Sequence, residues 1–324
     1  MIHIHNIKWG NPLSQESDIS IQDLLNLFLQ KNVVWGRSEA TIEDYKIFCT
    51  RFIEHVGADK KASDIVESTF EDYFLHLSNT PTLCETSVKT YLTHIRSFLY
   101  FGRDSGYITP NFKVKIPSVA EKVKRVHTDN EVHLLTIKPD MKKCSMSELV
   151  NWVMVMWILT YGSRSGSIRE IKIEHIDFVE KRVTIFNKKG KKYYYLPLPI
   201  EMELIIKEYL LHLGNYGDRY LFPSAYGNQH SKDSIKKSFA RYCKKRMVNN
   251  TSLHSLRHYF AREYYLQTKD LYGLKEIMGH RDISTTITYI RSLVGELFED
   301  YGQKIPLSRF IQQPKRIKMK SQAQ

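Results

Sequence analysis

Cysteine is scarce in this 324-residue sequence: Cys49, Cys84, Cys144 and Cys243 are widely spaced, with no Cys-x-x-Cys pair. That argues against a zinc ribbon or a disulfide framework and for a reducing compartment. Long apolar runs are missing too. The most apolar stretch, Val150 to Tyr161, is too short for a bilayer, which takes about 20 residues to cross as a helix. The opening MIHIHNIKWG lacks the basic-then-apolar pattern of a secretory signal. His254 and His258 are four apart, but His-Glu-x-x-His is absent and nearby acids lack ligand spacing, so no metal site is expected. A cytoplasmic protein without membrane contact is the expectation.

Charge is present, and it is lopsided. Hydrophobic content of 42% is ordinary for a globular protein, but the net charge is +13. Residues 1–110 carry 10 Lys/Arg against 14 Asp/Glu, whereas residues 111–324 carry 38 against 21. A strongly basic second half fits a polyanionic partner, although many soluble proteins are basic without one. The length suits two domains.

Residues 1–18 show no periodicity and read as a lead-in. Residues 19–110 read as a helical bundle of four amphipathic segments. Ser20 caps the first, with Ile21, Leu24, Leu25 and Phe28 on one face, and Gly36 breaks it. The second spans Glu39–His55, with Ile42, Tyr45 and Phe52 inward. The third spans Ser68–Leu77, with Phe70, Phe74 and Leu77 inward. The fourth runs from Thr86 to Arg103, with Val88, Leu92, Ile95 and Leu99 inward. Lys89, Arg96 and Arg103 recur every seven residues on it; they grip phosphates or form a solvated face, and the acidic balance of this half favours the face.

Residues 111–127 have no helical period and read as an extended basic linker carrying Lys113, Lys115, Lys122, Lys124 and Arg125. Thr128 and Glu131 form a capping box that starts the next helix. Glu148–Tyr161 is apolar nearly all round, as a buried helix is. Ile176–Phe178, Arg182–Phe186 and Tyr193–Leu198 read as strands, with Lys188, Lys189, Gly190, Lys191 and Lys192 as a basic hairpin tip. After a helix over Ile200–Leu213, Ser231–Arg246 is a helix with Ile235, Phe239 and Tyr242 inward. Its other faces carry Lys232, Lys236, Lys237, Arg241, Lys244, Lys245 and Arg246 against one acid, Asp233, which favours nucleic-acid contact.

Leu253 to Tyr289, read as two apolar-periodic helices, concentrates the chemistry. Arg257 is a planar, permanently charged fork suited to a phosphate. His254 and His280 can exchange protons near neutral pH. Tyr289 offers a phenol that becomes a nucleophile once deprotonated. HSLRHYFA, IMGHRDISTTITY and the upstream YGSRSGSI resemble the tyrosine recombinase family, the phage-integrase-like enzymes. That family's order is Arg, Lys, His-x-x-Arg, His and a Tyr nine residues beyond the last His, and all can be placed here.

The resemblance implies a mainly α fold with a small antiparallel sheet: a SAM-like core-binding bundle, then an α+β catalytic domain over 128–312 and a basic tail over 313–324. It implies that Arg164 and Arg257 hold the non-bridging phosphate oxygens while His254 and His280 add hydrogen bonds. Tyr289 attacks to give a 3′-phosphotyrosyl link, and Lys189 protonates the 5′-oxygen. Neither metal, cofactor nor ATP is implied. The implied partner is double-stranded DNA at specific sites, bound by a homo-tetramer near the nucleoid, with a DNA-bending protein as a conceivable accessory. Lys188 joins the candidate DNA contacts. A type IB-like relaxing enzyme and a catalytically silent DNA-binding relative are the rivals.

Several positions leave room for choice. Arg169 rivals Arg164, and Lys188, Lys191 and Lys192 crowd Lys189. His258 reads better as a helix-packing histidine than as a catalytic one. Ser167 stands where the family usually has a supporting acid, Ser163 and Met278 where leucines are common, and Tyr259 where threonine is. Beyond Tyr289, Leu293, Leu297, Phe298, Ile305 and Phe310 suit a last helix packing on a neighbour or on its own domain.

Overall fold

The computed structural model describes residues 19–108, 113–119, 125–187, 192–214 and 220–290. Lys122, Lys124, Lys188, Lys189, the lead-in and everything after Ile290 lie outside the described residues. The chain divides after Lys122 into two compact units.

The first unit holds α1 (Ile21–Val34), α2 (Glu39–Val56), α3 (Glu67–Ser78) and α4 (Glu85–Asp104). Ser20 caps α1 by accepting from the Asp23 N–H at 3.0 Å, and a backbone bridge to Lys61 pins that start to the loop before α3. Ile21, Leu24, Leu25 and Phe28 are buried against Phe52, Leu92, Ile95 and Phe98. On α3 the inward ring is Tyr73, while Phe74 is only half-buried. The two are adjacent, and the helical period alone does not choose between them. Ile42 and Tyr45 on α2 are likewise half-buried, and Cys49, Phe52 and Ile53 form its buried face.

The second unit holds α5 (Asp129–Thr136), α6 (Met146–Tyr161), α7 (Ser165–Ile168), β1 (Ile176–Asp177), β2 (Arg182–Asn187), β3 (Lys192–Pro197), α8 (Ile200–Leu213), α9 (Lys232–Lys245), α10 (Leu253–Thr268), α11 (Leu271–Ile277) and α12 (Ile283–Ile290). The strands form one antiparallel sheet in the order β1-β2-β3, with Ile185 opposite Tyr194. The Thr128–Glu131 capping box is present, the Thr128 N–H donating to Glu131 Oε2 at 3.0 Å and the Glu131 N–H to Thr128 Oγ1 at 3.2 Å. Helix α6 is buried on nearly every side and packs against α5, α8, α9 and α10. It is the axle of this unit, which is why its sequence is apolar all round. The architecture is mainly helical with a small antiparallel sheet, as the sequence implied.

Residues 253–289 form three helices, not two. The extra break falls at Lys269, which caps α10 in the left-handed region at φ 56°. Glycine usually marks that conformation, so a lysine there gives no warning in the sequence.

Candidate active site

Arg257 is the centre of the site and is 1% exposed. It sits on the first turns of α10, whose start is capped by Ser252. Its Nη1 donates to the carbonyl of Gly162, and its Nη2 to that of Met278 at 3.1 Å. Nη2 also lies 2.7 Å from His280 Nε2, and Nε donates to the Tyr289 hydroxyl at 3.3 Å. Burial pulls the guanidinium down to about 10; the charge of Arg164 adds to that, while Tyr289 and Tyr194 act the other way. At neutral pH Arg257 therefore keeps its charge.

The helix ends supply what surrounds it. Gly162 closes α6 in the left-handed region at φ 56°, turning the chain so that its carbonyl meets Arg257, and Arg164 follows two residues later. Half-buried Arg164 donates to the Met278 carbonyl at 3.4 Å, the same oxygen that Arg257 uses. Arg169 instead donates to the backbone of His230 and stays out of the cluster. Ser167 donates to the Phe186 carbonyl at 3.2 Å and so ties α7 to β2. Ser163 accepts the Trp157 indole N–H at 3.1 Å.

Tyr289, 6% exposed, projects from α12 into three imidazoles. The His258 ring stacks on it at 4.1 Å between centroids and 30° between planes. His280 is tilted against it at 5.5 Å, and His254, exposed at the rim, meets it edge-on at 5.8 Å. His280 Nδ1 lies 2.8 Å from the hydroxyl of Thr286, which is fully buried. The packing reading of His258 is thus accompanied by direct contact with the phenol.

Three contributors escaped the sequence reading: Tyr194, Thr286 and the stacking role of His258. Tyr194 points inward from β3 while Tyr193 and Tyr195 are exposed, the alternation a strand imposes. Its hydroxyl donates to the Ile277 carbonyl at 3.4 Å. Burial raises its pKa, against the pull of Arg257 and Arg164. Gly279, at φ 61°, lets the ring approach: a Cβ there would lie 3.2 Å from it.

The candidate DNA contacts fare differently from one another. On α9, Lys232, Lys236, Lys237, Arg241, Lys244 and Lys245 are exposed. Lys245, however, is ion-paired with Glu148, which also holds Arg246 at 3.0 Å. On α4, Lys89 is exposed and Arg96 half-buried, while Arg103 binds Asp104 at 2.8 Å and covers the Tyr100 ring. Lys113 and Lys115 are exposed, and Arg125 pairs with Glu131 at 2.9 Å. Among the described residues no group of three or more His, Cys, Asp or Glu side chains is placed to hold a metal ion. No helix among them is long and apolar enough to cross a membrane.

The sequence model of the phage integrase family matches residues 124–296, which contain every residue of this cluster. The chain belongs to the phage integrase family. As a tyrosine recombinase it is 24% identical over 274 residues to a tyrosine recombinase of Thermosipho africanus, covering 81% of this chain and 92% of that one. Among solved structures, the Tn1549 transposon integrase in complex with transposon right end DNA superposes with a TM-score of 0.70 at 14% identity, over 84% of this chain and 94% of that one. A lambda integrase tetramer bound to a Holliday junction gives 0.66 at 16% identity, over 84% and 77%. At these identities the structural likenesses establish that the tyrosine recombinase fold is shared.

Proposed function

We propose that this tyrosine recombinase cuts and rejoins DNA at specific sites through a covalent bond between Tyr289 and a 3′-phosphate. The observation that carries the reading is the convergence on Arg257: the Tyr289 hydroxyl at 3.3 Å and His280 at 2.7 Å share one buried guanidinium. Phosphodiester cleavage needs charge stabilisation on the non-bridging oxygens, an in-line nucleophile and a proton for the leaving oxygen. Arg257 and Arg164 supply the first, each with donors in a fork that matches phosphate geometry. His280 and His254 add hydrogen bonds, and His254, exposed to solvent, carries the departing phenolic proton away. Tyr289 attacks, and Lys189 protonates the 5′-oxygen. One such charge-stabilising donor is worth about 2.7–4 kcal/mol of barrier.

A phosphate must compete with acceptors that Arg257 already holds. Its oxygens take over the donors now given to the Tyr289 hydroxyl and to His280, while the Gly162 and Met278 carbonyls keep the guanidinium plane oriented. The exposed lysines and arginine of α9, with Lys89, Lys113, Lys115 and the basic residues around the linker, bind the duplex backbone. The working assembly is a homo-tetramer on two duplexes, in the cytoplasm and associated with the nucleoid, by analogy with the lambda integrase assembly.

The test is an adduct assay on nicked duplexes spanning the DNA that flanks the gene. The expected result is a denaturant-resistant protein–DNA adduct that Tyr289→Phe abolishes while gel-shift affinity is kept. An adduct surviving in Tyr289→Phe displaces Tyr289 as the nucleophile. DNA binding with no adduct on any substrate favours a silent DNA-binding relative, and relaxation of supercoiled plasmid by the monomer favours a relaxing enzyme.

A further inference from the structure

Thr286 stands one turn before Tyr289 on α12, so the two side chains share a face of the helix. It is fully buried, and its hydroxyl lies 2.8 Å from His280 Nδ1. The other ring nitrogen, Nε2, is 2.7 Å from Arg257 Nη2. A guanidinium has no lone pair to offer. Nε2 must therefore accept from Arg257, which makes His280 a neutral imidazole with its proton on Nδ1, donated to Thr286 Oγ1. The same ring cannot serve a phosphate in that form, because a phosphate oxygen needs a donor at Nε2.

We infer that Thr286 is the positioning residue that lets His280 change from acceptor to donor without leaving its place. A hydroxyl both donates and accepts and turns freely about its C–O bond. When a phosphate displaces the Arg257 contact, Nε2 takes one proton from water and Nδ1 releases one to water. The ring stays neutral, the Thr286 hydroxyl rotates to donate to Nδ1, and Nε2–H faces the phosphate oxygen. A carboxylate at this position would accept only, and would favour the imidazolium instead. An apolar side chain would leave Nδ1 buried and unmatched, which costs the ring its orientation. Because Thr286 and Tyr289 ride on one short helix, the brace on His280 is in place when the nucleophile is.

The inference rests on the reading of this site as a DNA-cleaving centre, and the experiment separates the two. Single-turnover cleavage is measured on the nicked duplex, with gel-shift affinity and melting temperature recorded for each variant. Thr286→Val, nearly the same shape without the hydroxyl, is expected to slow cleavage roughly tenfold to a hundredfold with DNA affinity unchanged. Thr286→Ser is expected to restore the rate to within a few-fold of the parent. In a His280→Ala background, Thr286→Val is expected to change nothing further, since it acts through the ring. Equal slowing in both backgrounds, or a serine variant as slow as the valine, overturns the inference and leaves Thr286 a packing residue. An unchanged rate in Thr286→Val overturns it as well. A parent protein that forms no adduct removes the cleavage reading itself, and this inference with it.

Discussion

Replacing Gly162 by alanine is expected to damage stability and cleavage together. Gly162 ends α6 at φ 56°, a region that costs an L-residue about 1–2 kcal/mol. An added Cβ would also overlap the Phe260 ring, 2.7 Å from Cε1 and closer still to Cδ1. Phe260 lies one turn beyond Arg257 on α10, so relieving the clash pushes α10 away from α6. Overpacking of this kind costs about 1–3 kcal/mol more, for a total of about 2–5. With an m-value of about 2 kcal/mol per molar urea, the midpoint should fall by about 1–2.5 M. Trp157 reports the transition from the spot concerned, since its indole donates to Ser163 at 3.1 Å. Gly36→Ala makes the comparison: φ is 67° there but nothing lies within 4 Å of the new carbon, so only backbone strain is paid. Cleavage should fall with Gly162→Ala, because the carbonyl that orients Arg257 moves with the helix end. A midpoint shift below about 0.5 M with unchanged cleavage would show that Phe260 yields freely. The close approach of α6 and α10 would then not be what sets Arg257.

Acid should unfold the second unit partly through Glu148. Burial alone would raise its carboxyl, but hydrogen bonds and charge from Lys245 and Arg246 hold it below its usual 4.5. Its contribution is thus complete above that value and is lost as pH falls through the lowered one. Glu148→Gln should melt lower at pH 7 and show a flatter loss of melting temperature from pH 5 to pH 3; parallel curves for variant and parent would refute this. For α9, changing Lys232, Lys237, Arg241 and Lys244 to glutamine should reduce the slope of log affinity against log salt by up to about 3.6, about 0.9 for each phosphate released. An unaltered slope removes α9 from the DNA interface.

Much of this architecture could be read from residue order, for local reasons. Ser20 and the Thr128–Glu131 box announce helix starts because their side chains satisfy backbone N–H groups within a few residues. The apolar circumference of α6 announces burial. Arg164, His254, Arg257, His280 and Tyr289 were legible as a set because their spacing follows a family pattern; the fold brings His254, Arg257 and His280 to the Tyr289 phenol, and Arg164 to the Met278 carbonyl that Arg257 also uses. What stayed hidden depends on contacts between distant segments. The Gly162 and Met278 carbonyls that orient Arg257 carry no signature, since every residue has one. Tyr194 looked like one of 20 tyrosines until strand alternation gave it a direction. Lys245, counted among DNA contacts, is ion-paired with Glu148 on another helix, nearly a hundred positions earlier. Thr286 became informative only once both nitrogens of His280 had named partners.

The guanidinium of Arg257, already engaged by two carbonyls, an imidazole and a phenol, has a consequence for selectivity. A phosphate arriving there trades one set of good acceptors for another, so ground-state affinity gains little from the exchange. On the proposed mechanism, retention on the duplex falls to the outer cations, through phosphate contacts whose hold weakens with salt. In that mechanism the buried arginine acts later, when negative charge builds on the pentacoordinate phosphorus beyond anything a carbonyl can match. Under the proposed mechanism, such a division of labour would let the protein move along DNA without its innermost residue becoming trapped on each phosphate it meets.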